Sequence, residues 1–154
     1  MAGAIKQGMR DSTIAHPDTC CTGHLFKTAD SLTNTRPVDN VTATGISGAA
    51  FHVDGVGDFG SIGPVHYSDK CADNLISVPQ LLDLGCTLAA DRKRMRMYSR
   101  EGKLFMDAHR GPSGMFDVKL GDIKAFPMSL NGDGGPLKPR LSAADTTRPH
   151  TACG

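Results

Sequence analysis

The chain has 154 residues and a formal net charge of +1. That length suits one domain with a real core but is short for two complete lobes, and that charge gives no argument for a nucleic-acid or membrane-surface partner. Aromatic residues make up 5% with no Trp, so the core must rest on Leu, Ile, Val, Met and a few Phe, while 18 Gly and 9 Pro favour a turn-rich, mainly β chain over a helical bundle. The five Cys, at 20, 21, 71, 86 and 153, are odd in number and include one adjacent pair. This is not the framework of a disulfide-stapled secreted domain, and it points to a reducing compartment. No stretch approaches the roughly 20 apolar residues of a membrane span, and the opening MAGAIKQGMRDS lacks the apolar run of a signal peptide.

In chain order, residues 1–12 are small and polar and read as a flexible arm or linker. An extended run follows from Thr13 to His16, which Pro17 holds towards β or polyproline geometry. It leads into DTCCTGH, residues 18–24. Between His24 and Asn40 the pattern is mixed, with Leu25, Phe26 and Leu32 as core candidates. Residues 41–60, VTATGISGAAFHVDGVGDFG, have alternating, β-branched flanks, and Gly45 and Gly48 bracket Ile46 and Ser47. This predicts a hairpin with a flexible tip and a second turn at Asp54 and Gly55 or at residues 58–60.

In NLISVPQLLDLGC, residues 74–86, a short strand runs into a helix within residues 77–85. Ser77 is a good N-cap, Gln80 completes a capping box, Pro79 is tolerated in the first turn and Gly85 is the expected stop. Leu81, Leu82 and Leu84 supply its apolar face, and at about two turns the helix must lean on a sheet. RKRMRMYSREGKLFMDA, residues 92–108, predicts a second hairpin turning at residues 99–102, and residues 115–118 a further strand. Its basic residues interleave with Met and Tyr at period two, which favours one buried and one solvated face over a nucleic-acid surface. From Gly121 the chain is rich in Gly, Pro and small polar residues without an apolar period, as expected for a disordered tail or linker towards a following domain.

Residues 18–24 concentrate the chemistry: a carboxylate, two thiols, two hydroxyls and an imidazole. Cys20 or Cys21 with His24 could begin a zinc site, but tetrahedral sites draw on spaced ligand pairs, and Cys71 and Cys86 stand alone. A Cys nucleophile with a distant His base is an equally unspecific reading of five Cys and six His. The plainest reading of the thiols is packing in a turn, and of Asp18 an ordinary Asx-turn. The scattered glycines make no phosphate loop, because no Lys-Ser/Thr pair and no strand–loop–long-helix unit accompanies them.

Three segments in this order resemble one family, the retropepsin-type aspartic proteases of copia-like retrotransposon polyproteins. DTCCTGHLF resembles the active-site turn (Asp, Ser/Thr, Gly, a small residue, Ser/Thr, any residue, His), VTATGISGAAFHVDGVG the glycine-rich flap, and NLISVPQLLDLGCTL the second signature. The last is the most specific. The resemblance covers about residues 13–120 and implies a retropepsin-like closed β-barrel with a flap hairpin and one short C-terminal helix. It also implies a homodimer, because one Asp motif supplies half of a catalytic pair. Asp18 would be catalytic and Thr19 would brace the paired turns. Thr44, Gly45, Ile46, Ser47 and Gly48 would contact a polypeptide substrate, the element's own polyprotein, with no metal or cofactor and no membrane. The implied setting is cytoplasmic, with virus-like particles as one location. Two positions depart from the pattern: Cys20 replaces the usual Gly, and Pro17 replaces the usual aliphatic residue before the Asp. The alternatives are a catalytically degenerate dimer of the same fold, acting as a structural or binding module, and a thiol-based metal- or RNA-binding domain.

Overall fold

The computed structural model describes residues 11–45, 48–123 and 150–151. The chain is mainly β with one short α-helix. Its strands are β1 (Ile14–Asp18), β2 (Leu25–Phe26), β3 (Thr33–Pro37), β4 (Thr42–Thr44), β5 (Ala50–His52), β6 (Gly55–Phe59), β7 (Gly63–Tyr67), β8 (Asn74–Ser77), β9 (Thr87–Ala90), β10 (Arg94–Tyr98), β11 (Leu104–Arg110), β12 (Phe116–Lys119) and β13 (His150–Thr151). The helix, α1 (Val78–Asp83), follows β8 directly. Ten strands form one sheet in the order β3-β6-β7-β2-β8-β1-β12-β11-β10-β9, and β13-β4-β5 form a second. No helix among the described residues is long and apolar enough to cross a membrane. The arm expected at residues 1–12 lies outside the described residues except for 11 and 12, as does the tail expected from 121, except for 121–123 and 150–151.

The expected closed barrel is corrected. Among the described residues the large sheet is open, with β3 and β9 at its ends. The sequence TNTRP explains one end: all five residues of β3 are exposed, and Pro37 has no N–H to offer a further strand.

At the centre of the sheet, β8 lies between β1 and β2. It runs parallel to β1, with Asp18 opposite Ser77, and antiparallel to β2, with Leu25 opposite Leu75. Residues 19–24 must therefore arch across the end of β8. Strand β10 follows its alternation, with Met95 and Met97 buried and Arg94, Arg96 and Tyr98 facing out. The main core joins them to Ala15, Phe26, Ile76, Val78, Leu81 and Phe105. Phe26 meets Phe59 edge-on at 5.3 Å between ring centres. Burying one such ring is worth about 1.5–3 kcal/mol.

Helix α1 starts and stops as expected, but the capping box is only half formed: the Ser77 N–H donates to His24 Nδ1 at 2.9 Å, and Gln80 Oε1 has no hydrogen-bond partner among the described residues. Ser77 Oγ accepts the Gln80 N–H at 3.1 Å, and Gly85 takes φ +91°, a left-handed value suited to glycine. Its apolar face differs from the expectation: Val78 and Leu81 are buried and Leu84 packs on the core, but Leu82 is 44% exposed. Residues three apart share a helix face, and Leu82 is rotated off it.

The turn proposed at Asp54 and Gly55 is also corrected in part, since Gly55 opens strand β6 and the reversal comes at residues 60–62. The glycines of β6 serve close packing: a Cβ on Gly55 would strike Tyr67 and the Arg36 carbonyl, and one on Gly57 would meet Leu32 and Thr35 at 2.9 Å.

Asn74 ties three segments together while 1% exposed. Its Oδ1 accepts the Lys27 N–H at 2.8 Å, and its Nδ2 donates to the carbonyls of Ser12 at 2.8 Å and Ile14 at 3.0 Å. Asn74→Leu keeps the branching at Cγ but removes all three bonds, so urea unfolding should show a loss of roughly 2–4 kcal/mol. Asp107→Asn is the contrast. Hydrogen bonding and charge from Arg94 hold the Asp107 carboxyl below its ordinary value, but both partners are a quarter or more exposed. The pair stabilises above the ordinary carboxylate pKa and loses its effect as pH falls through the lowered value. Its removal at neutral pH should cost less than about 1 kcal/mol.

Candidate active site

The arch of residues 19–24 is built from its polar atoms. Asp18, at the end of β1, is partly buried. Its Oδ1 accepts the Cys20 N–H at 2.8 Å, which closes an Asx-turn and orients the carboxylate. Beneath the arch Ser77 is fully buried. Its hydroxyl donates to the Cys21 carbonyl at 2.6 Å while also capping α1, and its N–H donates to His24 Nδ1 at 2.9 Å. His24 is therefore held as an acceptor at Nδ1, inside the protein at 1% exposure. That geometry makes it a structural residue that shapes the turn. The thiol of Cys21 is buried and donates to the Gly23 carbonyl at 2.9 Å.

Asp18 and Thr19 share this turn, and Thr19 is exposed. The hairpin expected around residues 45–48 is present as β4–β5, in which Thr42 pairs with His52 and Thr44 with Ala50. Gly45 donates to the Ala49 carbonyl at 3.1 Å, and Gly48 donates to the Gly45 carbonyl at 2.9 Å with φ +84°, which favours glycine. Of the expected substrate contacts, Thr44, Gly45 and Gly48 lie on this hairpin, and Ile46 and Ser47 lie outside the described residues. Thr44 Oγ1 is shielded from solvent with no hydrogen-bond partner among the described residues. Hairpin and turn share a second apolar cluster: Cys21, Leu25, Val41, Ala43, Val53 and Leu75, with Phe51 and Cys71 packed against it.

Cys20 does not distort the turn. Positive φ among the described non-glycine residues occurs only at Asn34 and Asn40, so position 20 has no backbone need for Gly. Its side chain is exposed. Asp18 also keeps its bond to the Cys20 N–H. Pro17 is accommodated as a buried residue of β1.

Among the described residues no three His, Cys, Asp or Glu side chains gather as metal ligands. A separate cleft of about 400 Å³ is lined by Ile14, Asp107, His109, Asp117, Val118, Lys119 and Asp122, away from the arch. His16 ties β1 to β12, its Nδ1 lying 3.0 Å from the Phe116 carbonyl and from Asp117 Oδ1, with its Nε2 3.7 Å from Asp73 Oδ1. The residues that sequence reasoning undervalued are Asn74 and Ser77. The signal for them was polarity inside an otherwise apolar strand, NLIS. Comparisons with protein-family models, curated proteins and solved structures returned no match.

Two outcomes test this architecture. Ser77→Ala removes the helix cap and the bond to the Cys21 carbonyl and should cost roughly 2–3 kcal/mol in denaturant unfolding. Thiol labelling should be ordered. Burial, with the nearby Asp54 charge second, pushes the Cys71 thiol up to about 12, and burial pushes Cys86 up to about 11. Both stay protonated and unreactive near neutrality, because the thiolate is the nucleophile. Iodoacetamide on the native protein should therefore modify exposed Cys20 before Cys21, Cys71 or Cys86, as peptide mapping would show.

Proposed function

We propose that the chain is an aspartic endopeptidase of the retropepsin type, from a copia-like retrotransposon polyprotein, active as a homodimer. The observation that carries this reading is the arch itself. It holds one carboxylate at a strand end by a backbone N–H, next to an exposed threonine hydroxyl, with a glycine-tipped hairpin anchored in the same apolar cluster. One carboxylate cannot act as base and acid together, so the reading requires a second copy. With Asp18 of each protomer on a two-fold axis, the paired carboxyls share one proton, since two adjacent negative charges cannot both form cheaply. The ionised member takes a proton from a bound water, and the protonated member polarises the scissile carbonyl as the water attacks. Thr19 of each chain links the two turns. The β4–β5 hairpin closes over an extended peptide, the element's own polyprotein, and adds it as a strand.

Asp18→Asn should reduce cleavage of a polyprotein substrate by roughly a hundred- to ten-thousandfold while the thermal unfolding curve stays unchanged. Pepstatin-like inhibitors should block the activity of the wild-type protein. Sedimentation equilibrium should reveal a homodimer, with specific activity rising as dimer forms. Cys20→Gly should lower stability by roughly 0.5–1 kcal/mol, because the turn already accommodates a side chain and gains only backbone entropy to lose. Equal inactivity of wild type, Cys20→Gly and Asp18→Asn on several peptides would replace the enzyme with the inert dimeric module.

A further inference from the structure

The β4–β5 hairpin has a second neighbour. Strand β13 (His150–Thr151) lies parallel to β4, with His150 opposite Ala43 and Thr151 opposite Thr44. The β4 peptide groups divide between the two sides. The bonds Val53 N–H to Val41 carbonyl, at 3.0 Å, and Gly45 N–H to Ala49 carbonyl, at 3.1 Å, place the odd-numbered residues of this strand towards β5. Successive peptide groups in a strand point to opposite edges, so Thr42 and Thr44 direct theirs to the other side, where β13 lies. The His150 peptide then sits between those of Thr42 and Thr44. This is a strand-addition edge on the hairpin expected to receive peptide, and a segment of the same chain is laid on it.

We propose that the outer edge of β4 is a docking site for an extended peptide, and that residues around His150 and Thr151 fill it in cis and so compete with any peptide offered in trans. The recognition is by main chain, which makes it tolerant of side-chain identity. A ladder of two residues is weak by itself, but a segment tethered to the same chain acts at a raised effective concentration that a free peptide must exceed. The docking edge stands apart from the Asp18 chemistry. Its consequence for cleavage, that displacing β13 opens the hairpin to substrate, rests on the endopeptidase reading.

The test is hydrogen exchange on the full-length chain, compared with its His150→Pro and His150→Ala variants. Proline removes the N–H that the ladder needs, whereas alanine keeps it. In the parallel register the His150 N–H donates to the Thr42 carbonyl and the Thr44 N–H to the His150 carbonyl, so exchange of the Thr44 amide should quicken by about tenfold or more in His150→Pro and stay at the wild-type rate in His150→Ala. The Val41, Ala43 and Gly45 amides should keep their wild-type rates in both, which also reports that the hairpin is still folded. A synthetic peptide of residues 146–154, TTRPHTACG, added under reducing conditions should restore protection in His150→Pro and do nothing to wild type. Unchanged Thr44 exchange in His150→Pro would overturn the proposal, as would quickening in His150→Ala to the same degree, or failure of the peptide to protect the proline variant at saturating concentration. None of these readouts requires catalysis, so loss of the endopeptidase reading and loss of the docking edge are told apart.

Discussion

The position of Ser77 at the end of β8, beneath the arch of residues 19–24, is the constraint on which the rest of the site depends. A strand that separates β1 from β2 forces their connection to pass over its end, and the polar groups trapped there must find partners inside the protein. One serine meets three of these demands, through its bonds to the Cys21 carbonyl, the Gln80 N–H and the His24 ring. Helix start, turn and imidazole are thereby one connected network, and each partner is expensive to remove because it is buried. Asn74 does the equivalent work at the other end of the same strand, where it joins the segments around Ser12 and Lys27. The short strand NLIS is thus apolar towards the core and polar at both ends, and the polar ends set the positions of its neighbours.

This arrangement also explains how a thiol-rich turn comes to present a carboxylate. Cys21 faces inwards and packs with Ala43 and Leu75, Cys20 faces outwards, and Asp18 is held by the Cys20 backbone N–H. Hydrophobic packing under the turn and a single N–H above it fix the oxygen more firmly than either would alone. The same cluster reaches Val41 and Phe51 at the base of the hairpin, so the carboxylate and the glycine-tipped hairpin are mounted on a shared apolar support. A device of this kind suits the pairing of two Asp18 carboxyls that we propose, because the geometry of each half would be set within its own chain.

Much of the fold was legible from residue order. The period-two interleaving of Arg and Met predicts the β10–β11 hairpin, and Ser77, Pro79 and Gly85 predict α1, because capping and alternation are local physics; the reciprocal bond expected of Gln80 was displaced by the distant His24 ring. The strands without such a pattern were not legible. β2 has two residues, β3 is uniformly exposed, and β9 is a four-residue run without alternation, so each is a strand only because a neighbour supplies its hydrogen bonds. The glycines of β6 looked like turn signals because close backbone approach and turn formation call for the same residue.

The sequence by itself determined the mainly β class, the helix and its ends, and the placement of Asp18 after an extended run, since Pro17 and the Asx-turn act within a few residues. Only the tertiary structure decided that β8 lies between β1 and β2, that the large sheet stays open among the described residues, and that Cys21 and Ser77 meet beneath the turn. Residues 21 and 77 are far apart in the chain, and no local preference encodes their contact. It follows from which strand edges find each other and from the requirement that every buried polar group be paired.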